Sequence, residues 1–507
     1  MGISFSTSCP KNLDGGNTTN KMKQSEKFTK LRALLGEEPS GETFRYILQQ
    51  FSNWNDEPLK SVGIEYSLGH LVSWPDEYRE ATLEECWPDF PRGTSTLLLL
   101  TRSIQLSGKK VESETLKALT DSPNLTNLSK LDLCDCGIGS EGATILANSP
   151  NLTNLNTLNL FDNKIGDEGA KALANSPYLT NLSTLYFGKN DIGVKGAKAL
   201  ANSPNLKNLS TLYFGENGIG AKGAKALANS PNLKNLSTLY FGKNDIGVKG
   251  AKALANSPNL KNLSTLYFGE NGIGAKGAKA LVNSPYLTNI ERLDLGYNHI
   301  GNEGAKELAE SENLRNLNTL YLGYNKIGIE GVKALINAPY FKNIERLQLG
   351  YNEIGIEGVK ALVSSPNITS IKTLHLQWNE IQVEGAKALA NSPYLTNLNT
   401  LNLEYNMIGI EGVKALANSP YLTNLNTLNL EYNKIGIEGV KALIHSSYLT
   451  NIETLNLQWN EIPVEEIRLL AAPPKLTNLK TLNLKYNELD NEDQKELTKY
   501  FKCDITT

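Results

Sequence analysis

The sequence predicts an α/β solenoid, in which short parallel strands alternate with short helices and copies of one unit stack on each other. Three observations predict it. The 507 residues carry a strict 27-residue period, marked by an asparagine that recurs from Asn163 to Asn487 without insertion or deletion. Each unit begins with apolar residues at every second position and continues with helical spacing. A proline then closes most units.

The strand of each unit is indicated by alternating leucines, as at Leu158 and Leu160. The asparagine that follows is expected to be buried, so its amide needs partners. It can donate to and accept from the backbone of neighbouring turns, which predicts an asparagine ladder along the stack. One step before Asn163 the same position holds Cys136, and the two define the start of fourteen regular repeats, preceded by one degenerate copy.

The helix of each unit is indicated by apolar residues spaced at i, i+3 and i+4, as at Ala170, Leu173 and Ala174. Gly166 permits the tight turn that leads into it, and Pro177 ends it because proline cannot continue a helix. One such unit cannot bury its own apolar face, whereas a stack of them can.

The consensus LxxLxLxxNxIGxEGAKALANSPxLTN resembles leucine-rich repeats of the ribonuclease-inhibitor-like class. The same pattern occurs in Ran GTPase-activating protein, NOD-like receptors and GALA-type bacterial effectors, and the SPxLTN segment is most similar to bacterial leucine-rich repeat proteins of unknown function. The resemblance covers residues 101 to about 490. It implies a horseshoe with a parallel β-sheet on its concave side and short helices on its convex side, and it says almost nothing about function.

The rest of the chain divides by composition. Residues 1–24 are polar and are expected to be a disordered tail. Residues 25–100 contain amphipathic segments, with Ser25 and either Ser40 or Glu42 as helix starts, and are expected to form a helical cap over the repeats at 101–487. The stretch PDEYREATLEECW is read as a further helix of this cap. Residues 488–507 predict a C-terminal cap helix.

A second interpretation of residues 40–75 is a degenerate F-box, a three-helix module that docks substrate adaptors onto a ubiquitin ligase. The sequence resembles it in the order of its apolar anchors, although the leading Leu-Pro pair of the family is missing. The anchors are Ile47, Leu48, Phe51, Leu59, Val62 and Trp74. Because apolar residues at helical spacing are common, the cap remains the simpler interpretation.

Composition excludes several classes of protein. The formal net charge of -3 argues against bulk electrostatic binding of nucleic acid. Five scattered cysteines favour a reducing compartment, and Cys134 and Cys136 lack the further ligands that a metal site needs. No apolar run approaches membrane-spanning length, and the N-terminus lacks the apolar region of a secretory signal. We expect no cofactor and no metal.

The first residues, MGISFS, match the N-myristoylation pattern with Gly2 as acceptor. Cys9 could then carry a second acyl chain, since stable anchoring usually takes two signals. The alternative is a chance match in a polar tail. Membrane association is expected only if this terminus is acylated.

Two columns of aromatic residues are predicted to line the concave surface. The strand column, four positions before the asparagine, contains Tyr186, Tyr213, Tyr240, Tyr267 and Tyr321, of which the first four are candidate partner-binding residues. The turn column, immediately before the asparagine, supplies the other candidates: Tyr297, Tyr324, Tyr351, Trp378, Tyr405, Tyr432, Trp459 and Tyr486. Exposed tyrosine and tryptophan dominate binding hot spots, but a self-stacking ladder that merely stiffens the sheet is the alternative.

The sequence therefore predicts a non-enzymatic scaffold that binds a protein partner on its concave surface, as a cytoplasmic monomer without nucleic-acid or small-molecule substrates. The resemblance to bacterial effectors implies action inside a host cell, reached by a route independent of a signal peptide. An F-box-like ligase adaptor and, by analogy of fold, a Ran-type GTPase activator are the alternatives. No catalytic residue is predicted, because copied repeats contain no unique constellation: residues 181–227 are identical to 235–281.

Overall fold

The computed structural model describes residues 18–54, 57–86, 95–462, 475–487 and 503–506. Short strands and short helices alternate along these residues, and the strands pair in parallel. The predicted α/β solenoid is therefore confirmed. The chain divides into two compact units, residues 1–163 with 176–182 and residues 164–175 with 183–507. The predicted sites at Gly2 and Cys9 lie outside the described residues.

The first unit contains the N-terminal segment and the first repeats. Its helices are α1 (Thr18–Leu35), α2 (Gly41–Ser52), α3 (Glu57–Leu71), α4 (Leu83–Cys86), α5 (Ser113–Thr120) and α6 (Gly139–Ala147). Its strands are β1 (Glu80–Thr82), β2 (Ser103–Gln105), β3 (Lys130–Asp132) and β4 (Thr157–Asn159). Helix α1 begins at Thr18, so the expected start at Ser25 is wrong, and the helix includes residues 18–24, which were expected to belong to the tail.

The N-terminal helices bury an apolar core of their own. Leu31, Phe44 and Phe51 are fully buried there. Ser40 caps α2 as the sequence suggested, because its hydroxyl oxygen accepts from the backbone N–H of Thr43 at 3.1 Å. The guanidinium of Arg79 donates to the carbonyls of Leu71 and Leu100. It thus ties α3 to the start of the repeats, and burial lowers its pKa to about 10.

The stretch PDEYREATLEECW was expected to be helical, and this expectation is wrong for its centre. Residues 80–82 form β1, which pairs in parallel with β2 in register, Ala81 opposite Ile104. Ala81 is buried at the position that leucine occupies in later strands. The open edge of a parallel sheet accepts any extended segment that offers backbone groups and one small apolar side chain. The sheet therefore begins before residue 101.

The second unit contains the remaining repeats. Its helices are α7 (Gly166–Ala174), α8 (Val194–Asn202), α9 (Gly220–Ala228), α10 (Gly247–Ala255), α11 (Gly274–Val282), α12 (Gly301–Ala309), α13 (Ile329–Ile336), α14 (Gly355–Val363), α15 (Gln382–Ala390), α16 (Gly409–Ala417) and α17 (Gly436–Ile444). Its strands are β5 (Thr184–Tyr186), β6 (Thr211–Tyr213), β7 (Thr238–Tyr240), β8 (Thr265–Tyr267), β9 (Arg292–Asp294), β10 (Thr319–Tyr321), β11 (Arg346–Gln348), β12 (Thr373–His375), β13 (Thr400–Asn402), β14 (Thr427–Asn429), β15 (Thr454–Asn456), β16 (Thr481–Asn483) and β17 (Asp504–Thr506).

Strand register places equivalent residues of successive repeats side by side. Leu212 of β6 lies opposite Leu239 of β7, and Tyr213 lies opposite Tyr240. The leucine at the centre of each strand is buried beneath the helices, whereas the tyrosines beside it are partly exposed. We call the side of the sheet away from the helices the open face. The third residue of each strand therefore belongs to a column of side chains on the open face.

The end of the chain adds a strand that was not expected. Residues 504–506 form β17, which pairs with β16 and sets Ile505 opposite Leu482. This strand lies within the segment 488–507 predicted as a cap helix. Residues 488–502, on which the helical prediction rests, lie outside the described residues. Strand β17 therefore extends the parallel sheet by one strand beyond β16.

Three ladders of side-chain hydrogen bonds join successive repeats, and only the first was predicted. The asparagine amide bonds neighbouring turns, as when Asn298 donates to the carbonyl of Phe268 at 2.9 Å. A serine at the end of most repeats donates to the last turn of the preceding helix, as from Ser392, which precedes Pro393, to Val363 at 2.6 Å. The asparagine of the LTN segment donates to a backbone carbonyl in the equivalent loop of the preceding repeat, as from Asn397 to Thr369.

Candidate functional site

The turn column lies beyond the strands, in a turn with left-handed backbone. Its residues have positive φ angles, 55° at Tyr297, 57° at Tyr324 and 56° at Trp378. Aromatic side chains rarely adopt this conformation, which costs roughly 1–2 kcal/mol per residue. From Tyr297 to Trp459, the backbone N–H of every residue in the column donates to a carbonyl of the next repeat, as from Tyr351 to Gln377 at 2.7 Å. The stack of repeats thereby imposes the conformation on each turn.

The rings of the turn column stack on one another. The centroids of Tyr297 and Tyr324 are 3.7 Å apart, and those of Trp378 and Tyr405 are 3.4 Å apart. The stack continues on both sides of these pairs, with centroids 3.8 Å apart for Tyr324–Tyr351, 5.3 Å for Tyr351–Trp378, 4.6 Å for Tyr405–Tyr432 and 4.7 Å for Trp459–Tyr486. Only the Tyr432–Trp459 step is tilted, at 49°. Ring faces are therefore largely covered by neighbouring rings.

The ring edges remain accessible. Tyr297 and Tyr432 are each 44% exposed, Trp459 is 47% exposed and Tyr486 is 62% exposed. Aromatic stacking contributes about 0.5–1.5 kcal/mol per pair, so the column does stiffen the turns. A ladder that served stiffness alone would not need to leave its edges uncovered. The column therefore presents a pre-ordered row of tyrosine and tryptophan edges at the surface.

The strand column forms a second stack on the open face. Tyr186, Tyr213, Tyr240 and Tyr267 lie with ring centroids 4.2, 3.9 and 4.2 Å apart and nearly parallel. Burial, followed by hydrogen bonding and charge repulsion between neighbouring hydroxyls, raises the pKa of Tyr240. Tyr240 is therefore a neutral hydrogen-bonding group at physiological pH.

Charged residues occupy the turn position in the repeats that carry the strand column. The ammonium of Lys243 lies 3.9 Å from a carboxylate oxygen of Glu216 and 3.7 Å from one of Glu270. Charges of opposite sign therefore meet across successive repeats at these three residues. All three are exposed, so the pairs add little stability.

A row of glycines separates the two columns. Gly269, Gly296 and Gly323 lie two positions before the asparagine, and none of them has the positive φ that would require glycine. Repeats at either end of the row carry larger residues there, such as Phe161 and Glu404. The absence of side chains leaves a groove of about 490 Å³, lined by these glycines, Tyr297, Tyr321, Tyr324 and polar residues of β9, β11 and β12. A second groove of about 400 Å³ follows the turn column from Tyr297 to Trp378.

Burial alters the acid–base chemistry of the residues along the first groove. It raises the pKa of Tyr324 to about 12 and lowers the pKa of His375, which is therefore neutral at physiological pH. Within the described ranges, no group of three His, Cys, Asp or Glu side chains could hold a metal ion. Burial raises the pKa of the Cys136 thiol to about 11, and the thiol donates to the carbonyl of Leu106, so Cys136 acts as a core residue.

Four of the six residues proposed as F-box anchors lie inside the N-terminal core, and Val62 is half-buried. Ile47, Leu48 and Phe51 are fully buried, and Trp74 is 7% exposed. The side chain of Leu59 lies outside the described part of the chain. Anchors packed against their own helices do not present an apolar surface to a ligase subunit, and this arrangement favours the cap. None of the helices among the described residues combines the length and the apolar character needed to cross a bilayer.

Comparison with known proteins places the repeats in a family. The model of the leucine-rich repeat matches thirteen segments that together cover more than half of the chain, at residues 124–147, 151–174, 178–201, 205–228, 232–255, 259–282, 286–309, 313–335, 342–363, 367–390, 394–417, 421–443 and 475–495. The chain therefore belongs to the leucine-rich repeat family. No curated protein matches the sequence.

Solved structures with similar folds have low sequence identity to this chain. An internalin of Listeria monocytogenes is 24% identical, with 78% of this chain and 90% of that one covered and a TM-score of 0.41. The yeast Rad7–Elc1 complex is 16% identical, with 74% of this chain and 89% of that one covered and a TM-score of 0.44. The TLR13–ssRNA13 complex is 19% identical over 81% and 73%, with a TM-score of 0.38. The likeness at these identities concerns the fold alone.

Proposed function

We propose that the protein is a non-enzymatic scaffold that binds a protein partner on the open face of its sheet, between and along the two aromatic columns. The observation that carries the proposal is the turn column. Its rings are ordered by stacking and by the backbone, yet several remain close to half exposed at their edges. Rigid aromatic groups that are already ordered make good anchors for a partner, because binding costs little side-chain entropy.

The glycine row supports the same conclusion. It leaves backbone groups and a groove of about 490 Å³ between the columns, wide enough for side chains of a partner. Copied repeats offer the same chemistry many times over, which suits an extended protein surface. The effector-like role in a host cell, the cytoplasmic location, the monomeric state and acylation at Gly2 and Cys9 belong to the proposal as predictions.

A capture experiment with two variants tests the proposal. One variant carries Tyr324→Asn, Tyr351→Asn, Trp378→Asn and Tyr405→Asn, and asparagine is chosen because it tolerates left-handed backbone. The matched control carries Tyr394→Asn, Tyr421→Asn and Tyr448→Asn, tyrosines of the loops that follow the helices. Both must retain the circular dichroism spectrum and melting temperature of the wild type.

The expected result is a partner held by wild type and by the loop variant and lost by the turn-column variant. That partner is then identified and its affinity measured with purified components. Equal capture by all three proteins would contradict the proposal and assign the aromatic columns to stability alone. Loss with the loop variant instead would move the binding surface to the opposite side of the repeats.

A further inference from the structure

One residue interrupts the strand column. The column runs Tyr186, Tyr213, Tyr240, Tyr267 and resumes at Tyr321, but β9 places Asp294 at this position. The rings on either side cannot stack across the gap, and the centroids of Tyr267 and Tyr321 lie 6.4 Å apart at an angle of 47°. A carboxylate therefore replaces one ring of an aromatic ladder.

The carboxylate of Asp294 has little to bind it. It accepts one hydrogen bond among the described residues, from the backbone N–H of Gly296 at 2.8 Å, and it belongs to none of their ion pairs. Asp132 occupies the same column in β3 and is much better satisfied, because the Ser107 hydroxyl, the Cys134 N–H and the Asn159 amide all donate to it. A partly buried carboxylate without a cation is an unusual feature in a folded protein.

The surroundings of Asp294 fit a cation. The groove of about 490 Å³ opens over it, and the side chains of Tyr297, Tyr321 and Tyr324 line the same space. Glu270 also lines the groove and shares its charge with Lys243, whose ammonium lies 3.7 Å from it. Of the basic residues that line this groove, His375 is neutral and Arg346 is exposed at a strand two positions away from β9. A tyrosine ring attracts a cation through its negative face, and the attraction grows where water is excluded. Tyr321 is the ring suited to this, because it meets Tyr267 at an angle of 47° rather than in a parallel stack.

We propose that the gap at Asp294 is a binding site for the ammonium or guanidinium group of a lysine or arginine side chain supplied by the protein partner. The inference rests on the proposed function and narrows it, since the partner must present a basic residue to the groove. The cation lies against the tyrosine rings and pairs with Asp294, and Glu270 adds attraction. The near-neutral charge of the whole chain means that this preference is local rather than general.

Fluorescence anisotropy with purified full-length protein tests the site. The probe is a labelled peptide that alternates lysine and glycine, and its counterpart with acetylated lysines keeps the length but removes the charge. The expected result is saturable binding of the lysine peptide and binding weaker by about tenfold or more for the acetylated one. Equal affinities for both peptides, or no binding of the lysine peptide to wild type, would overturn the inference. The scaffold proposal would stand in either case, because it is judged by capture with the turn-column variant.

Two substitutions at Asp294 and one control locate the effect. Asp294→Asn keeps an oxygen for the Gly296 N–H and removes the charge, and Asp294→Tyr fills the gap in the ladder. Both substitutions should lower the affinity for the lysine peptide by about tenfold or more. The matched control Asp132→Asn should leave the affinity unchanged. Unchanged affinity in Asp294→Asn and Asp294→Tyr, or an equal loss in Asp132→Asn, would assign peptide binding to another surface and refute the site.

A competition arm distinguishes a partner side chain from a free small cation. Tetramethylammonium and butylammonium are titrated into the complex with the lysine peptide. The proposal expects weak competition that depends on Asp294. Tight binding of either free cation to wild type, with no binding of the peptide, would overturn the assignment to a protein partner.

Discussion

Replacement of Asn325 by alanine should destabilise the stack more than any single surface change. The side chain of Asn325 is fully buried. Its amide oxygen accepts from the backbone N–H of Asn298 at 3.0 Å and of Ile300 at 3.2 Å. Its amide nitrogen donates to the carbonyls of Leu295, Leu322 and Gly323, at 2.8 to 3.2 Å. One side chain thus joins two turns.

The cost can be worked out from what remains after truncation. The three carbonyls keep other donors: Leu295 and Leu322 retain the amides of Asn298 and Asn352, and Gly323 retains the N–H of Tyr297. The backbone N–H groups of Asn298 and Ile300 in the preceding turn lose the one partner that they have among the described residues. A buried unsatisfied donor costs about 1–3 kcal/mol, so Asn325→Ala should cost roughly 2–6 kcal/mol.

The first rung of the ladder shows why cysteine cannot rescue this position. The turn that precedes Cys136 needs no acceptor from the side chain at this position. The Lys109 N–H donates to the carbonyl of Leu106, and the Val111 N–H donates to the backbone carbonyl of Cys136. The turn before Asn325 lacks this arrangement. Asn325→Cys should therefore suffer most of the alanine penalty, since sulfur is a weak acceptor.

Native-state hydrogen exchange is the assay, because a long repeat array need not unfold in one step. In Asn325→Ala the amides of Asn298 and Ile300 should lose protection equivalent to about 2 kcal/mol or more. Asn316→Ala, an exposed asparagine of the same repeat, is the control and should change protection by less than about 0.5 kcal/mol. Unchanged protection at Asn298 and Ile300 in Asn325→Ala would refute the reasoning about the ladder.

Three further predictions follow from the repeats and the groove. Deletion of residues 190–243, which are two whole repeats, should leave a folded protein with unchanged ellipticity per residue, because the deletion joins identical sequence in register. Deletion of residues 190–230 breaks the register and should abolish folding. Asp294→Asn should raise the melting temperature at neutral pH. Burial raises the pKa of Asp294, so its ionised form destabilises the folded protein above that folded-state pKa. The gain in melting temperature should shrink at lower pH, because acid protonates the wild-type carboxyl. A difference in melting temperature that does not depend on pH would contradict this. Tyr324→Ala should be less stable than Tyr324→Gly by about 1 kcal/mol in denaturant unfolding, the reverse of the usual order, because φ is 57° there.

The sequence determined the repeating unit. The 27-residue period, the alternating leucines and the helical spacing state which residues are buried, and stacking of identical units is the only way to bury them. The same logic predicted the asparagine ladder, because a polar residue that recurs at a buried position must bond its neighbours. It also found both aromatic columns, since strand register follows from the period.

The tertiary structure decided what depends on backbone conformation and on contacts between distant residues. Positive φ in the turn column arises because each turn bonds the next repeat, which a single repeat does not reveal. Strands β1 and β17 form from segments without the consensus, because the sheet edges supply their partners. Asp294 looks like an ordinary strand residue in sequence. Only the packing shows that Asp294 interrupts a stack of rings beside the glycine row and has no ion-pair partner among the described residues.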